Sequence, residues 1–379
     1  MTGGDVVHRV GLVGCGAFGS FVARALDGVD GARLVAVADD DAELARRLAD
    51  QIPDVRPAAD LDRLVAGHGV DIVVIATPPW THADLAVRAL ETGCHVLVEK
   101  PLAIDLAGCR RVADAAITND RVVAVDHLLR FAPLVIALER MMCVESGGTS
   151  VLGRVRRFSF ENDATDDGLP AGHWFWDRSR SGGIFVEHGV HFFDLACWLI
   201  GSPADSIQAI AAEVGGNERV DTVCATATFG SRATATWYHS FSHPRRCERQ
   251  RMRLDLGTAE CTLGGWIPLE LRIDAWADAD GAAALRSAAT ELAAELGLVV
   301  DHAEDEAGRF RLELVHPDHE AKDVVYARCI SAVIADLLES IDDGRRPRVG
   351  IAAGSSAVAL AEAATDAAAR GRTVSLPGR

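Results

Sequence analysis

The first third of the chain alternates short, continuously apolar runs rich in β-branched residues with amphipathic stretches. The runs fall at residues 10–13, 34–38, 72–76, 95–98 and 122–125. Between them lie helix-like segments at 18–26, 42–51, 82–91 and 106–117. Strands without polar alternation are buried on both faces, so the pattern predicts a doubly wound parallel α/β domain over residues 1–131. Beyond that point a helix-like stretch at 134–143 leads into longer, alternating strands at 155–160, 207–212, 222–229, 233–240 and 251–256. Successive strands without intervening helices predict an α+β second domain, residues 132–379, built on a large, mainly antiparallel open sheet. Residues 274–306 read as one amphipathic helix in an insertion, followed by helices at 324–342 and 352–369.

A chain of 379 residues fits two domains, and 49% hydrophobic with 25% charged residues fits an ordinary globular core. Acidic residues (55) exceed basic ones (38), giving a net charge of −17 that disfavours nucleic acid and anionic membranes as partners. No uninterrupted apolar run approaches the ~20 residues of a membrane helix, and no basic flank with a long apolar run opens the chain, so a cytoplasmic protein is expected. The nine cysteines contain no C-x-x-C pair and fit reduced thiols. Only Lys100 and Lys322 are lysines among the 38 basic residues, which draws attention to any role that needs an ammonium.

The strongest local signal is Gly14, Gly16 and Gly19 in RVGLVGCGAFG, a G-x-G-x-x-G that ends a predicted strand and opens a helix. Helix-start N–H groups there, including those of Ala17 and Phe18, can face a pyrophosphate, as in the Rossmann fingerprint. Asp39 ends the second strand and can accept hydrogen bonds from an adenosine ribose. With Asp40 and Asp41 following, a 2′-phosphate would be repelled, so NAD is expected over NADP; helix N-capping is the competing use of Asp40 or Asp41.

The chain resembles the Gfo/Idh/MocA oxidoreductases, the glucose-fructose oxidoreductase and inositol dehydrogenase family, along most of its length. The resemblance rests on the fingerprint, IATPPWTH (75–82), ETGCHVLVEKP (91–101), VDHLLRFAP (125–133) and GGIFVEHGVHFFD (182–194), with GRRPRVG and GRTVSLP near the C-terminus. It implies that Thr77, Pro78, His82, Glu99 and Lys100 border the cofactor, and that His127, Arg130, Trp176 and Asp194 border the substrate. It also implies a homodimer or homotetramer packed through the open sheet face.

Lys100 follows a strand at its carboxyl end, where an ammonium can stabilise a developing alkoxide; the plain alternative is an ion pair with Glu99. Glu187 and His191 stand four apart, matching the family's Asp-x-x-x-His pair with glutamate in place of aspartate. His191 suits removal of a hydroxyl proton, with Glu187 orienting the ring or binding substrate. Asp194 reads either as a substrate ligand or as a buried acceptor of backbone N–H groups. His188 and His191 together raise a metal alternative, but no distant ligand set accompanies them and no metal is expected. Leu128 and Leu129 suggest an apolar pocket wall, joined by Trp174, Trp176, Phe192 and Trp237. The turn-rich loop 162–181 reads equally as a lid or as a segment pinned by its own aromatics.

The reading that follows is an NAD-dependent dehydrogenase or reductase acting on a secondary alcohol or ketone of a sugar, cyclitol, related polyol or glycoside. Two others stand beside it: a lyase or glycosidase-like enzyme using transient oxidation, and a nucleotide-sensing regulator without turnover.

Overall fold

The computed structural model describes residues 7–216, 219–304, 309–317 and 322–376, and the chain forms two compact units. The first comprises Met1–Leu128, Asp177–Val190 and Ala327–Ala359; the second comprises Leu129–Trp176, His191–Tyr326 and Leu360–Arg379. The first crossing lies beside the boundary expected near residue 131. Two later segments nevertheless return to the first unit, so 132–379 is not one continuous domain.

In the first unit, β1 (His8–Val13), α1 (Ala17–Leu26), β2 (Ala32–Ala38), α2 (Ala42–Ala49), β3 (Arg56–Ala58), α3 (Leu61–His68), β4 (Ile72–Ile75), α4 (His82–Glu91), β5 (His95–Val98), α5 (Leu106–Asn119) and β6 (Val123–Val125) follow in order. The strands form a sheet in the order β3-β2-β1-β4-β5-β6, every pair parallel. Strand order reverses between β1 and β4, the switch point where such sheets bind ligands. Aspartates start α2, α3 and α5: Asp41 accepts from the Glu43 amide (2.9 Å), Asp60 from Arg63 (2.8 Å) and Asp105 from Gly108 (2.7 Å). Helix α1 differs. Its N-cap is Gly16, with no side-chain cap, which leaves its first amides for another acceptor.

The remaining elements are α6 (Pro133–Met142), the small hairpin β7 (Glu145–Ser146) and β8 (Thr149–Ser150), β9 (Arg157–Asp163), α7 (Arg178–Ser181), α8 (Val190–Ile200), β10 (Ser206–Ala212), β11 (Thr222–Phe229), β12 (Ala233–Ser240), β13 (Arg249–Asp255), β14 (Ala259–Gly264), β15 (Glu270–Trp276), α9 (Ala279–Leu296), β16 (Val299–Glu304), β17 (Arg309–Val315), α10 (Lys322–Asp342), α11 (Ile351–Arg370) and β18 (Val374–Ser375). Ten strands of the second unit form one sheet, β16-β17-β15-β14-β13-β9-β12-β11-β10-β18. All its pairs are antiparallel except β9 with β12. One face buries Phe158, Phe160, Trp237, Leu254, Ile273 and Leu312, while the alternate positions are polar.

The stretch 274–306 is not a single helix. Alternation of Leu271, Ile273 and Ala275 carries β15 to Trp276, Asp278 then caps α9 by accepting from Gly281 (2.8 Å), and β16 follows. Residues 305 and 306, and Pro377 of the C-terminal motif, lie outside the described residues. The run Arg178–Ile200 is long and apolar enough to cross a membrane by length and composition, yet 67% of its window is buried inside the protein, as in a core helix.

Candidate active site

The glycine turn follows β1. Gly14 has φ +100°, and a Cβ there would lie 2.3 Å from the Ala76 carbonyl; one at Gly19 would lie 1.8 Å from the Gly14 carbonyl. Both therefore close the turn. Gly16 is the opposite case: a Cβ there would meet nothing within 4 Å, so its missing side chain leaves room in front of the α1 N-terminus. Ala17 is exposed and Phe18 half-buried on the first turn of that helix.

Asp39 stands at the end of β2, and its carboxylate accepts from the amides of Cys15 (2.7 Å) and Asp41 (2.9 Å). It thereby fixes the glycine turn while keeping acceptor capacity for a ribose. Asp41, not Asp40, takes the capping role. The Cys15 thiol is buried and pushed up to about 12, first by burial and then by Asp39. It is inert. All nine cysteines are free thiols.

Past β4, Thr77 and Thr81 share a hydrogen bond (2.7 Å), and Thr81 also donates to the Pro78 carbonyl (2.8 Å). His82, 1% exposed, sets one ring nitrogen 2.7 Å from the Pro101 carbonyl and the other 2.8 Å from that of Thr77. Burial lowers its pKa against the pull of those two carbonyls. Its ring is a strut between the loops after β4 and β5, so it reaches the site through its neighbours.

Lys100 sits one residue past Glu99 at the end of β5 and joins Pro101 through a cis peptide. Its Nζ donates to Glu187 Oε1 and to the Glu187 carbonyl, each at 2.9 Å. The side chains are only 15% and 14% exposed. Burial opposes the ammonium, but the carboxylates of Glu187 and Glu99 outweigh it and hold Lys100 above its ordinary range. Glu187 lies in a π turn, Phe185–Gly189, between α7 and α8. Trp80 helps hold that segment, since the Arg180 guanidinium lies 3.9 Å from its ring centre. The carboxylate expected to orient His191 thus grips Lys100. Beside it, His188 is pushed down to about 3 by burial and then by Lys100, and stays neutral.

His127 is buried at 1% exposure just beyond β6. Sequence reasoning overlooked its neighbour Asp126, also buried, which hydrogen-bonds Glu99. The available signal was an acid at the end of an apolar strand.

The second unit carries the rest. His191 is 5% exposed near the start of α8, its ring 5.8 Å from that of Trp266. Arg130 and Asp194 meet in a two-pronged ion pair, Nε–Oδ2 2.7 Å and Nη2–Oδ1 2.5 Å. Asp194 thus accepts from a guanidinium, where substrate or backbone N–H groups were expected. Trp176 donates Nε1 to the Leu169 carbonyl (3.0 Å), and Arg219 lies 3.9 Å from its ring while pairing with Asp166 at 2.5 Å. The 162–181 aromatics are therefore pinned by a cluster of their own. The apolar pocket wall needs correction: Leu128, Leu129, Phe192 and Trp237 are at most 1% exposed. Phe192 stacks on Phe160 at 3.4 Å, and Trp237 donates to the Phe192 carbonyl at 3.1 Å. They fill cores. Among the described residues no three His, Cys, Asp or Glu side chains gather as a metal site.

A family model described as "Oxidoreductase family, NAD-binding Rossmann fold" matches residues 8–127, and one described as "GFO/IDH/MocA C-terminal domain" matches 148–259. Together they cover more than half of the chain. The sequence is 36% identical over 197 residues to inositol 2-dehydrogenase 1 of Saccharopolyspora erythraea, covering 51% of this chain and 55% of that protein. It is 27% identical over 200 residues to scyllo-inositol 2-dehydrogenase (NAD(+)) of Bacillus subtilis, covering 52% and 56%. The match spans about half the length of these curated relatives. Among solved structures, levoglucosan dehydrogenase in complex with NADH and L-sorbose superposes with TM-score 0.79 at 19% identity, over 99% of this chain and 100% of that one. At that identity the likeness speaks to the fold.

Proposed function

We propose, taking as premise that the chain belongs to the GFO/IDH/MocA oxidoreductase family, that it is an NAD-dependent oxidoreductase of secondary alcohols or ketones in sugars, cyclitols or related polyols. The observation that carries this reading is the buried Lys100–Glu187 pair at the carboxyl edge of the parallel sheet that bears the glycine turn. The space left at Gly16, the uncapped start of α1 and the Asp39 carboxylate fit a dinucleotide, with Thr77, Pro78 and Glu99 bordering it. NAD bound there supplies the hydride acceptor or donor. Asp39, already holding two amides and followed by two more acids, favours a ribose hydroxyl over a 2′-phosphate.

Lys100 donates a hydrogen bond to the reacting oxygen and stabilises the charge that grows on it, while Glu187 fixes the ammonium's direction. His191 accepts the hydroxyl proton in the oxidative direction. Arg130 and Asp194 serve as a fixed ion pair, Trp176 borders the substrate, and His127, 1% exposed, reaches it only through its neighbours. The names of the inositol dehydrogenases above support the substrate class. We place the protein in the cytoplasm as a homodimer or homotetramer, without nucleic acid or membrane partners. A screen of inositols, sugars and glycosides with NAD and NADP, followed by reduced nicotinamide absorbance, tests the reading. With an accepted substrate, Lys100→Met loses ~10²–10³-fold in kcat and His191→Ala ~10²–10⁴-fold. Unchanged turnover in either variant overturns that residue's role.

A further inference from the structure

Asp126 has no part in the reaction above, yet it lies among that reaction's charged groups. Strands β5 and β6 end side by side, Val98 opposite Val125, and the Asp126 amide donates to the Val98 carbonyl at 2.9 Å. The next residue on each strand is an acid, so the topology delivers Glu99 and Asp126 to the same edge, where their carboxyl groups hydrogen-bond each other. Asp126 is 3% exposed, and its Oδ1 has no hydrogen-bond partner. Two ionised carboxylates have only acceptors, so this bond requires a proton. Like charges in contact resist the loss of that proton. Burial, then the neighbouring charge of Asp126, raises Glu99; burial raises Asp126 as well. The pair is faced by Lys100 from its own edge, by Glu187 from the π turn, and by the Cys329 thiol of α10.

We propose that Glu99 and Asp126 share one proton at neutral pH, and that Asp126, acting through Glu99, is a positioning residue that limits the negative charge beside Lys100. Lys100 already spends two hydrogen bonds and much of its field on Glu187. A doubly ionised pair behind it would draw the ammonium further from a substrate oxygen and weaken its hold on an alkoxide. With one proton retained, the pair carries a single charge. Loss of that proton then sets an alkaline limit to turnover, and this part of the inference rests on the role given above to Lys100.

In Asp126→Asn the amide still donates to Glu99, but the pair carries one charge and cannot gain a second. The alkaline limb of kcat/KM against pH is expected to move up by about one unit or more. Infrared difference spectroscopy reads the shared proton without turnover: the full-length wild-type protein at neutral pH shows the carbonyl stretch of a protonated carboxylic acid, which fades as pH rises and is missing in the variant. Glu270 and Glu313 are also hydrogen-bonded acids, so both proteins are compared in a Glu270→Gln background. Absence of the band in the wild type, or its persistence in Asp126→Asn, overturns the shared proton. Loss of the band with an unmoved alkaline limb overturns the link to Lys100. Should the variant not fold, the wild-type band and its titration still decide the first point. An active Lys100→Met would instead sink the functional reading and leave the band assignment standing.

Discussion

The two sheets use charge in opposite ways. In the parallel sheet the buried charge stands at the carboxyl edge, where Lys100, Glu187, Glu99 and Asp126 lie largely out of water. In the ten-stranded sheet, charge is spread over one broad face as pairs such as Arg253–Glu260, 38% and 49% exposed. Ion pairs in contact with solvent contribute little and are screened by salt, whereas a buried charge constrains what surrounds it. Charge collected where water is excluded holds its neighbours in place; charge laid out in water keeps a wide sheet solvated.

If burial rather than sheet membership sets the cost, the buried pair in the second unit should behave unlike the face beside it. Asp194→Asn strands the Arg130 guanidinium, and urea unfolding is expected to show a loss of about 3–5 kcal/mol. Next come the glycines of the first unit. Gly19→Ala forces a contact with the Gly14 carbonyl and is expected to cost about 1–3 kcal/mol in the same assay. Gly16→Ala, at an N-cap where a Cβ meets nothing within 4 Å, is expected to cost about 1 kcal/mol or less, while calorimetry is expected to show weakened NAD binding.

Smaller still is a pH effect with a definite sign. Unfolded carboxyls release their protons near pH 4, and the folded Glu99–Asp126 pair holds on to higher pH. Its contribution to stability is therefore complete below about pH 4 and is lost as pH rises through the raised values. His82 and His188, both held neutral, act with the opposite slope, losing stability as pH falls below the unfolded value near 6.5. Comparing urea midpoints of wild type and Asp126→Asn at pH 5 and pH 8 isolates the pair: the wild type declines more. The smallest effect belongs to the open face, where Glu260→Gln, which breaks the exposed pair with Arg253, costs about 1 kcal/mol or less and less again in high salt. A loss above 3 kcal/mol there would break the contrast between the sheets.

The parallel domain was legible because its signals are local. Continuous apolar runs gave β1, β2, β4, β5 and β6, and His82–Glu91 matched α4 end to end. The short β3, with its proline and exposed arginine, carries no such run, and α3 went unread although Asp60 and Gly69 mark its ends. In the second unit, β15 and β17 show clear alternation in Leu271, Ile273, Phe310 and Leu312 that the sequence reading passed over, while β16 is exposed along most of its length and offers none. The return of residues 177–190 and 327–359 to the first unit follows from tertiary packing and leaves no mark on composition. At the site, residue types pointed to Lys100 and Glu187 but not to their bond, because whether a glutamate reaches a lysine 87 positions away depends on a π turn with no sequence signature. Leu128, Phe192 and Trp237 were misread for a plain reason. Apolar residues near a motif line a pocket or fill a core with equal chemical fitness.

Asp39 performs two tasks with one carboxylate, gripping the Cys15 and Asp41 amides while standing where a ribose would be met. Coenzyme preference in this protein is consequently not a free-standing dial. An engineer who replaces Asp39 to admit a phosphorylated coenzyme also removes the acceptor of the Cys15 and Asp41 amides, leaving the Gly14 amide's bond to the Ala38 carbonyl (2.8 Å) to tie the glycine turn to the second strand, so retuning calls for a replacement acceptor.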